Sequence, residues 1–181
     1  MQLELNRTAL VLIDIQERLC PAIPGLEPFM PKIKIMLQGA AALELPTLIT
    51  EQYPRGLGNT LTELKELFRP EWPVLEKTDF SCWGCPAFRS ALEATEAQTV
   101  ILTGIEAHVC VQQTAFDLLD AGYQVVLAAD TVASRNAFDR DNAVALMRAS
   151  GIKVTTVEAI LFGLMRSSRH PSFKNVSALV R

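Results

Sequence analysis

The chain has 181 residues, of which 49% are hydrophobic and 20% charged, with a formal net charge of -3. That length suits one domain with one core, assigned to residues 1–181, and the composition is that of a globular chain rather than a disordered one. The acidic balance offers no basic footprint for nucleic acid or an anionic membrane surface, and no apolar run approaches the ~20 residues that span a bilayer, so no nucleic-acid or membrane partner is expected.

The first apolar run, Thr8-Ala9-Leu10-Val11-Leu12-Ile13, is compact, β-branched and ended by Asp14. It is too short for a signal peptide, so a cytoplasmic chain is expected. Residues 31–43 place Ile33, Met36, Leu37, Ala40 and Leu43 on one helical face. Residues 46–50 read as a short buried strand and 54–58 as a Pro/Gly-rich loop. A short helix is predicted over 61–68 and a short strand over 74–77, ending on Lys77. Residues 86–95 read as a helix with Pro86 in its first turn, where a missing N–H costs little. Residues 99–103 form a second β-branched run, closed by Gly104. A helix over 108–121 has Gly122 past its end, a C-cap signal. A strand over 124–129 ends at Asp130, a helix over 139–150 ends before Gly151, and residues 153–157 predict a last strand.

Continuously apolar strands separated by helices imply a parallel sheet covered on both faces. Open sheets of this kind bind ligands at the carboxyl ends of their strands. Asp14 ends the first strand, Lys77 ends the third, and Cys110 follows the fourth at the start of a helix. All three belong on one rim.

Four cysteines in a chain of this size do not look like a disulfide framework. Cys82-Trp83-Gly84-Cys85 has the spacing of a redox pair or of half a zinc site. A zinc site needs two further ligands, and neither His108 nor His170 repeats a metal-binding spacing. A thioredoxin-like motif would follow a strand near the N-terminus. Two incidental thiols, at least one buried, fit better. Cys110 is different in its setting. The unpaired N–H groups and partial positive charge of a helix start favour thiolate over thiol, lowering the ~8.5 of a free cysteine by one to several units. The same N–H groups can stabilise the oxyanion formed when sulfur attacks a carbonyl, and a carboxylate can shuttle the proton. Taken singly, Cys110 is an ordinary buried cysteine, Asp14 a turn cap and Lys77 a solvated lysine. The shared rim is what joins them. His108, two residues before Cys110, points to another side of the helix and suits a helix-start or interface role.

Leu12-Ile13-Asp14-Ile15-Gln16, then Glu76-Lys77-Thr78-Asp79-Phe80-Ser81, then Gly104-Ile105-Glu106-Ala107-His108-Val109-Cys110-Val111 resemble the three signature blocks of the isochorismatase-like hydrolases, in the same order. The resemblance runs from about residue 7 to 158. Glu51-Gln52-Tyr53-Pro54-Arg55-Gly56-Leu57-Gly58 and His170-Pro171-Ser172-Phe173-Lys174 further resemble the isochorismatase domain-containing proteins. The resemblance implies a triad with Cys110 as nucleophile, Asp14 as proton carrier and Lys77 orienting the pair. It also implies a cis peptide at Ile105–Glu106 and an oxyanion site made by the N–H groups of Glu106 and Cys110. Isochorismatases themselves carry a small residue where Cys110 stands, so a cysteine here points to attack on a C–N carbon instead. Many nicotinamidases hold a metal through an Asp-x-His pair where this chain reads Glu51-Gln52-Tyr53, so no metal and no cofactor are expected.

These readings combine into an α/β, three-layer (α-β-α) Rossmann-like fold with a six-stranded mostly parallel sheet in the order 3-2-1-4-5-6. The expected activity is that of a cysteine hydrolase acting on a small amide, carbamoyl or related C–N substrate through an acyl-enzyme. Gln16, Tyr53, Phe80, Trp83 and Ile105 flank the blocks and are expected to line the substrate pocket. The resemblance implies a homo-oligomer, with Trp72 or Phe138 as candidate interface aromatics. The alternatives are a non-catalytic interaction protein that keeps the fold, and a redox protein using Cys82 and Cys85.

Overall fold

The structure is a computed structural model that describes residues 3–181. In chain order its main elements are β1 (Thr8–Ile13), α1 (Met30–Ala42), β2 (Thr47–Gln52), α2 (Pro54–Leu57), α3 (Thr62–Lys65), β3 (Val74–Lys77), α4 (Pro86–Glu93), β4 (Thr99–Ile105), α5 (Gln112–Asp120), β5 (Gln124–Ala133), α6 (Ala137–Ala149), β6 (Lys153–Thr155), α7 (Val157–Met165) and α8 (Phe173–Leu179). The six strands form one sheet in the order β3-β2-β1-β4-β5-β6. Every pairing is parallel, so the sheet is wholly rather than mostly parallel.

The apolar runs are continuous because both faces of the sheet are buried. Successive side chains of a strand point to opposite faces. Thus Leu10 and Leu12 of β1 join one core, with Ile33, Met36 and Leu37 of α1 and Ile160 and Leu161 of α7. Ala9, Val11 and Ile13 join the other, with Phe88 of α4, Leu118 of α5 and Met147 of α6. Burying a leucine-sized side chain stabilises by ~1.5–3 kcal/mol, so both layers hold the central strand firmly.

Several boundaries differ from those expected from sequence, each for a visible reason. β5 runs past Asp130 to Ala133, because the Asp130 carboxylate accepts the N–H of Val157 and so caps the start of α7. The last strand stops at Thr155, and Thr156 becomes the N-cap of α7. α7 and α8 lie beyond the elements expected from sequence. The helix expected from residue 108 opens instead with a π-helical turn, Ala107–Val111, before α5 begins. Trp72, one of two candidate interface aromatics, is 6% exposed and packs in the core beside Phe68, at 6.3 Å between ring centroids. Among the described residues, no helix is long and apolar enough to cross a membrane.

Candidate active site

The carboxyl ends of β1, β3 and β4 bring Asp14, Lys77 and Cys110 to the same rim of the sheet. Asp14 follows the last residue of β1 with φ 54, a left-handed conformation that non-glycine residues seldom adopt. Its side chain is wholly buried, and Oδ2 lies 2.7 Å from Nζ of Lys77. Lys77 reaches across β2 to make that contact. Its ammonium also donates to Gln52 Oε1 at 2.7 Å and to the carbonyls of Phe80 at 3.0 Å and Asp79 at 3.2 Å. Four acceptors surround three protons, so the cation is fully engaged by the protein. The other carboxylate oxygen, Oδ1 of Asp14, accepts the hydroxyl of Thr50 at 2.7 Å.

Gly104 allows the third strand end to come this close. At φ +120 it faces Ile13, and a Cβ built on it would lie 2.1 Å from the Ile13 carbonyl oxygen. Only a residue without a side chain fits. The Ile105–Glu106 peptide that follows is cis. The carbonyl of Glu106 accepts from Val109 N–H at 3.1 Å and from Val111 N–H at 3.2 Å, passing over that of Cys110. The π turn thus withdraws the partner that a regular α-helix would give the Cys110 amide. The Glu106 carboxylate is held by Arg135, through Nε at 2.9 Å and the backbone N–H at 3.1 Å. His108 Nδ1 lies 3.0 Å from the Ser134 hydroxyl.

Cys110 is 6% exposed. Burial foremost, then the Asp14 charge, push its thiol up to about 12, with Lys77 pulling the other way. The helix start favours a thiolate, but desolvation and the neighbouring anion outweigh it together with Lys77, and the resting group is a thiol. Cys82 shares this surrounding. Wholly buried, it is pushed up to about 12 by burial and then by Asp14. Its N–H donates to Thr114 Oγ1 at 2.9 Å, and its Sγ lies 3.8 Å from Thr50 Oγ1. For Lys77, burial opposes the charge, but the Asp14 carboxylate holds its pKa above the ordinary value.

The expected pocket residues divide. Phe80 and Tyr53, each 55% exposed, stand at the rim. Tyr53 donates its N–H to the Lys77 carbonyl at 2.9 Å and lines a cleft of about 480 Å³ with Arg55, Glu76, Lys77 and Cys85. Gln16 is buried and clamps the loop that follows β2, donating to the carbonyls of Gln52 and Gly58 and accepting the Gln52 N–H. Ile105 is buried in the core. Trp83 turns away from the cluster to stack edge-on against Tyr123, at 5.7 Å. It lines a hollow with Gln98 and Gln124, where β4 and β5 begin. Thr50 and Gln52 were not singled out from sequence, and Cys82 was read there only as an incidental thiol or half of a redox pair. The threonine lies within an apolar strand, and no local pattern marks which residue will touch Asp14.

Glu51, where a metal ligand would stand in a nicotinamidase, takes the N–H and hydroxyl of Thr60 on Oε1 at 2.6 and 2.8 Å. Among the described residues, no group of three or more His, Cys, Asp or Glu side chains is placed to hold a metal ion. The thiols of Cys82 and Cys85 address different partners, Thr50 and the Glu76 carbonyl.

The family model described as isochorismatase domain matches residues 8–159. Isochorismatase domain-containing protein 1 of Salmo salar is 39% identical over 174 residues, covering 96% of this chain and 61% of that protein. The chain thus spans about three fifths of that relative's length. The solved structure of MAR1 ribonuclease from Caenorhabditis elegans superimposes with a TM-score of 0.94 at 39% identity, covering 99% of this chain and 92% of that one. YcaC from Pseudomonas aeruginosa, solved with hexane-2,5-diol and covalent acrylamide, gives 0.91 at 26% identity, covering 98% and 91%.

Proposed function

Because the chain belongs to the isochorismatase family, we propose that it is a cysteine hydrolase in which Cys110 attacks a small amide, carbamoyl or related C–N substrate. The observation that carries this reading is the buried Asp14 carboxylate, pinned by Lys77 at 2.7 Å on the same rim of the sheet as the buried Cys110. A thiol pushed up to about 12 is a poor nucleophile at neutral pH unless its proton leaves as the bond forms. Asp14 is placed to take that proton. The Sγ–carbon bond forms, the S–H proton passes to Asp14, and the negative charge gathers on the substrate oxygen. The N–H groups of Glu106 and Cys110 receive that oxyanion. Collapse breaks the C–N bond, Asp14 returns the proton to the departing amine, and a thioester remains on Cys110. Water then attacks the thioester and passes a proton to Asp14; the carbon–sulfur bond breaks, the acid product leaves, and Asp14 returns the proton to the Cys110 sulfur. Lys77, already engaged by four acceptors, acts on Asp14 rather than on substrate. It fixes the position of the carboxylate between proton transfers. Phe80 and Tyr53 form the rim past which substrate enters.

The ribonuclease relative raises a second substrate class. RNA binding depends on neutralising phosphates with Lys and Arg. A net charge of -3 and a thiol only 6% exposed favour a small substrate over a polymer.

The test is a panel of primary amides, ureas and N-carbamoyl acids, with a short RNA as the contrasting arm. Amine or ammonia release is read beside intact-protein mass. Release that is present in the native chain and lost in Cys110→Ala, with an acyl adduct mapped to Cys110, is the expected result. RNA cleavage that depends on Cys110, or a panel without turnover or adduct, would overturn the reading.

A further inference from the structure

We infer that Thr50 is a positioning residue for the reacting pair: its hydroxyl, backed by the Cys82 thiol, holds the inner oxygen of Asp14 and weakens the grip of that carboxylate on the Cys110 proton. The inference rests on the proposed pairing of Asp14 with Cys110.

The direction of the hydrogen bonds leads to it. An ionised carboxylate has no proton to give, so the 2.7 Å contact between Thr50 Oγ1 and Asp14 Oδ1 must spend the hydroxyl's single proton on Asp14. Thr50 can then only accept from Cys82, whose Sγ is 3.8 Å away. Cys82 is in turn placed by its N–H on Thr114 Oγ1 at 2.9 Å, which anchors it to α5. A one-way chain therefore runs Cys82 S–H to Thr50 O–H to the Asp14 carboxylate. Every member is at most 1% exposed, so water cannot substitute for a missing donor. In such a medium successive hydrogen bonds polarise one another, and a donor to a charged oxygen counts more than in water.

The chemistry requires this moderation. Asp14 must take a proton from sulfur and later give it up, so a carboxylate that holds that proton too strongly would stall its return to the departing amine. The ionisable groups facing Asp14 are Lys77 from β3, Cys82 from the turn before α4, and Cys110 from the π turn. Lys77 occupies Oδ2, which leaves Thr50 as the donor on Oδ1.

Thr50 also belongs to β2, where its carbonyl accepts the Asp14 N–H at 3.1 Å. Thr50→Val keeps that backbone pairing and nearly the same shape while deleting the donor. The experiment follows iodoacetamide modification of Cys110 by peptide mass mapping at about pH 8–9, where the rate tracks the small thiolate fraction. Thr50→Val is expected to slow labelling by roughly three- to tenfold, since an unmoderated Asp14 disfavours the thiolate more strongly. Thr50→Ser is expected to restore the native rate within about twofold, and Asp14→Asn to accelerate labelling by removing the anion. A purely structural role predicts the opposite sign for Thr50→Val, because a loosened site exposes the thiol and labels faster. Labelling of Thr50→Val at or above the native rate, or failure of Thr50→Ser to restore it, would overturn the inference. Slowed labelling beside a substrate panel without turnover would leave the inference standing and remove the proposed function. Cys110 unlabelled in the native chain and in every variant would overturn both.

Discussion

The ammonium nitrogen of Lys77 lies 2.7 Å from Oδ2 of Asp14, with both side chains withdrawn from water. Removing one partner of a buried ion pair leaves an uncompensated charge, which costs more than the pair itself contributes. Lys77→Ala is therefore expected to lower stability by about 3–5 kcal/mol, and Asp14→Asn with Lys77→Met to recover a large part of that loss. Urea denaturation of the three proteins measures it. A Lys77→Ala chain that unfolds at the native urea midpoint would mean that the two charges are not desolvated together.

Alkali should unfold the protein earlier than its carboxylates and amines alone would dictate. Burial raises the thiols of Cys20 to about 11, and of Cys82 and Cys110 to about 12, from an ordinary 9.0. Lys77 is raised as well. Between the unfolded and folded values the native chain keeps protons that the unfolded chain has lost. The stability these groups contribute is complete below about pH 9 and is lost as pH rises through their folded values. The urea midpoint is expected to fall progressively from about pH 9 upward, and Cys82→Ala to flatten that fall. A midpoint as steep with Cys82→Ala as without it would assign the loss to other groups.

Gly104→Ala should be among the most damaging single changes outside Asp14, Lys77 and Cys110. The added methyl would meet the Ile13 carbonyl oxygen at 2.1 Å and its nitrogen at 2.7 Å, and φ is +120. Both neighbours are backbone of the central strand and cannot rotate away. We expect a loss above about 3 kcal/mol, read as a large drop in melting temperature or as failure to accumulate soluble protein. A Gly104→Ala chain that melts with the native protein would show that β1 and β4 part more easily than their packing implies.

The architecture was legible in the chain because its cause is local. A run such as Ala9–Ile13 is apolar on every residue only if both strand faces are covered, and that condition implies a parallel sheet between helical layers. The ends of those runs also placed Asp14, Lys77 and Cys110 on one rim, since parallel strands deliver their carboxyl ends to the same side. Polar residues inside elements misled the same reasoning. Asp130 read as a strand end, yet its carboxylate serves the first turn of α7 while β5 continues.

What only the tertiary structure decided is the state of the groups once they meet. The helix start argued for a thiolate at Cys110. The packed site instead removes solvent and sets Asp14 beside the sulfur, and those two effects keep the proton on. Thr50, Gln52 and Cys82 became visible for the same reason. Their contacts with Asp14, Lys77 and one another cross 25 to 36 positions of sequence, beyond any local period. Trp83, adjacent in sequence to the cluster, was carried away by its packing on Tyr123. Hydrophobic periodicity is a property of neighbours along the chain. Proton affinity depends on how much water and which charges surround a group, and the sequence sets these only through long-range packing.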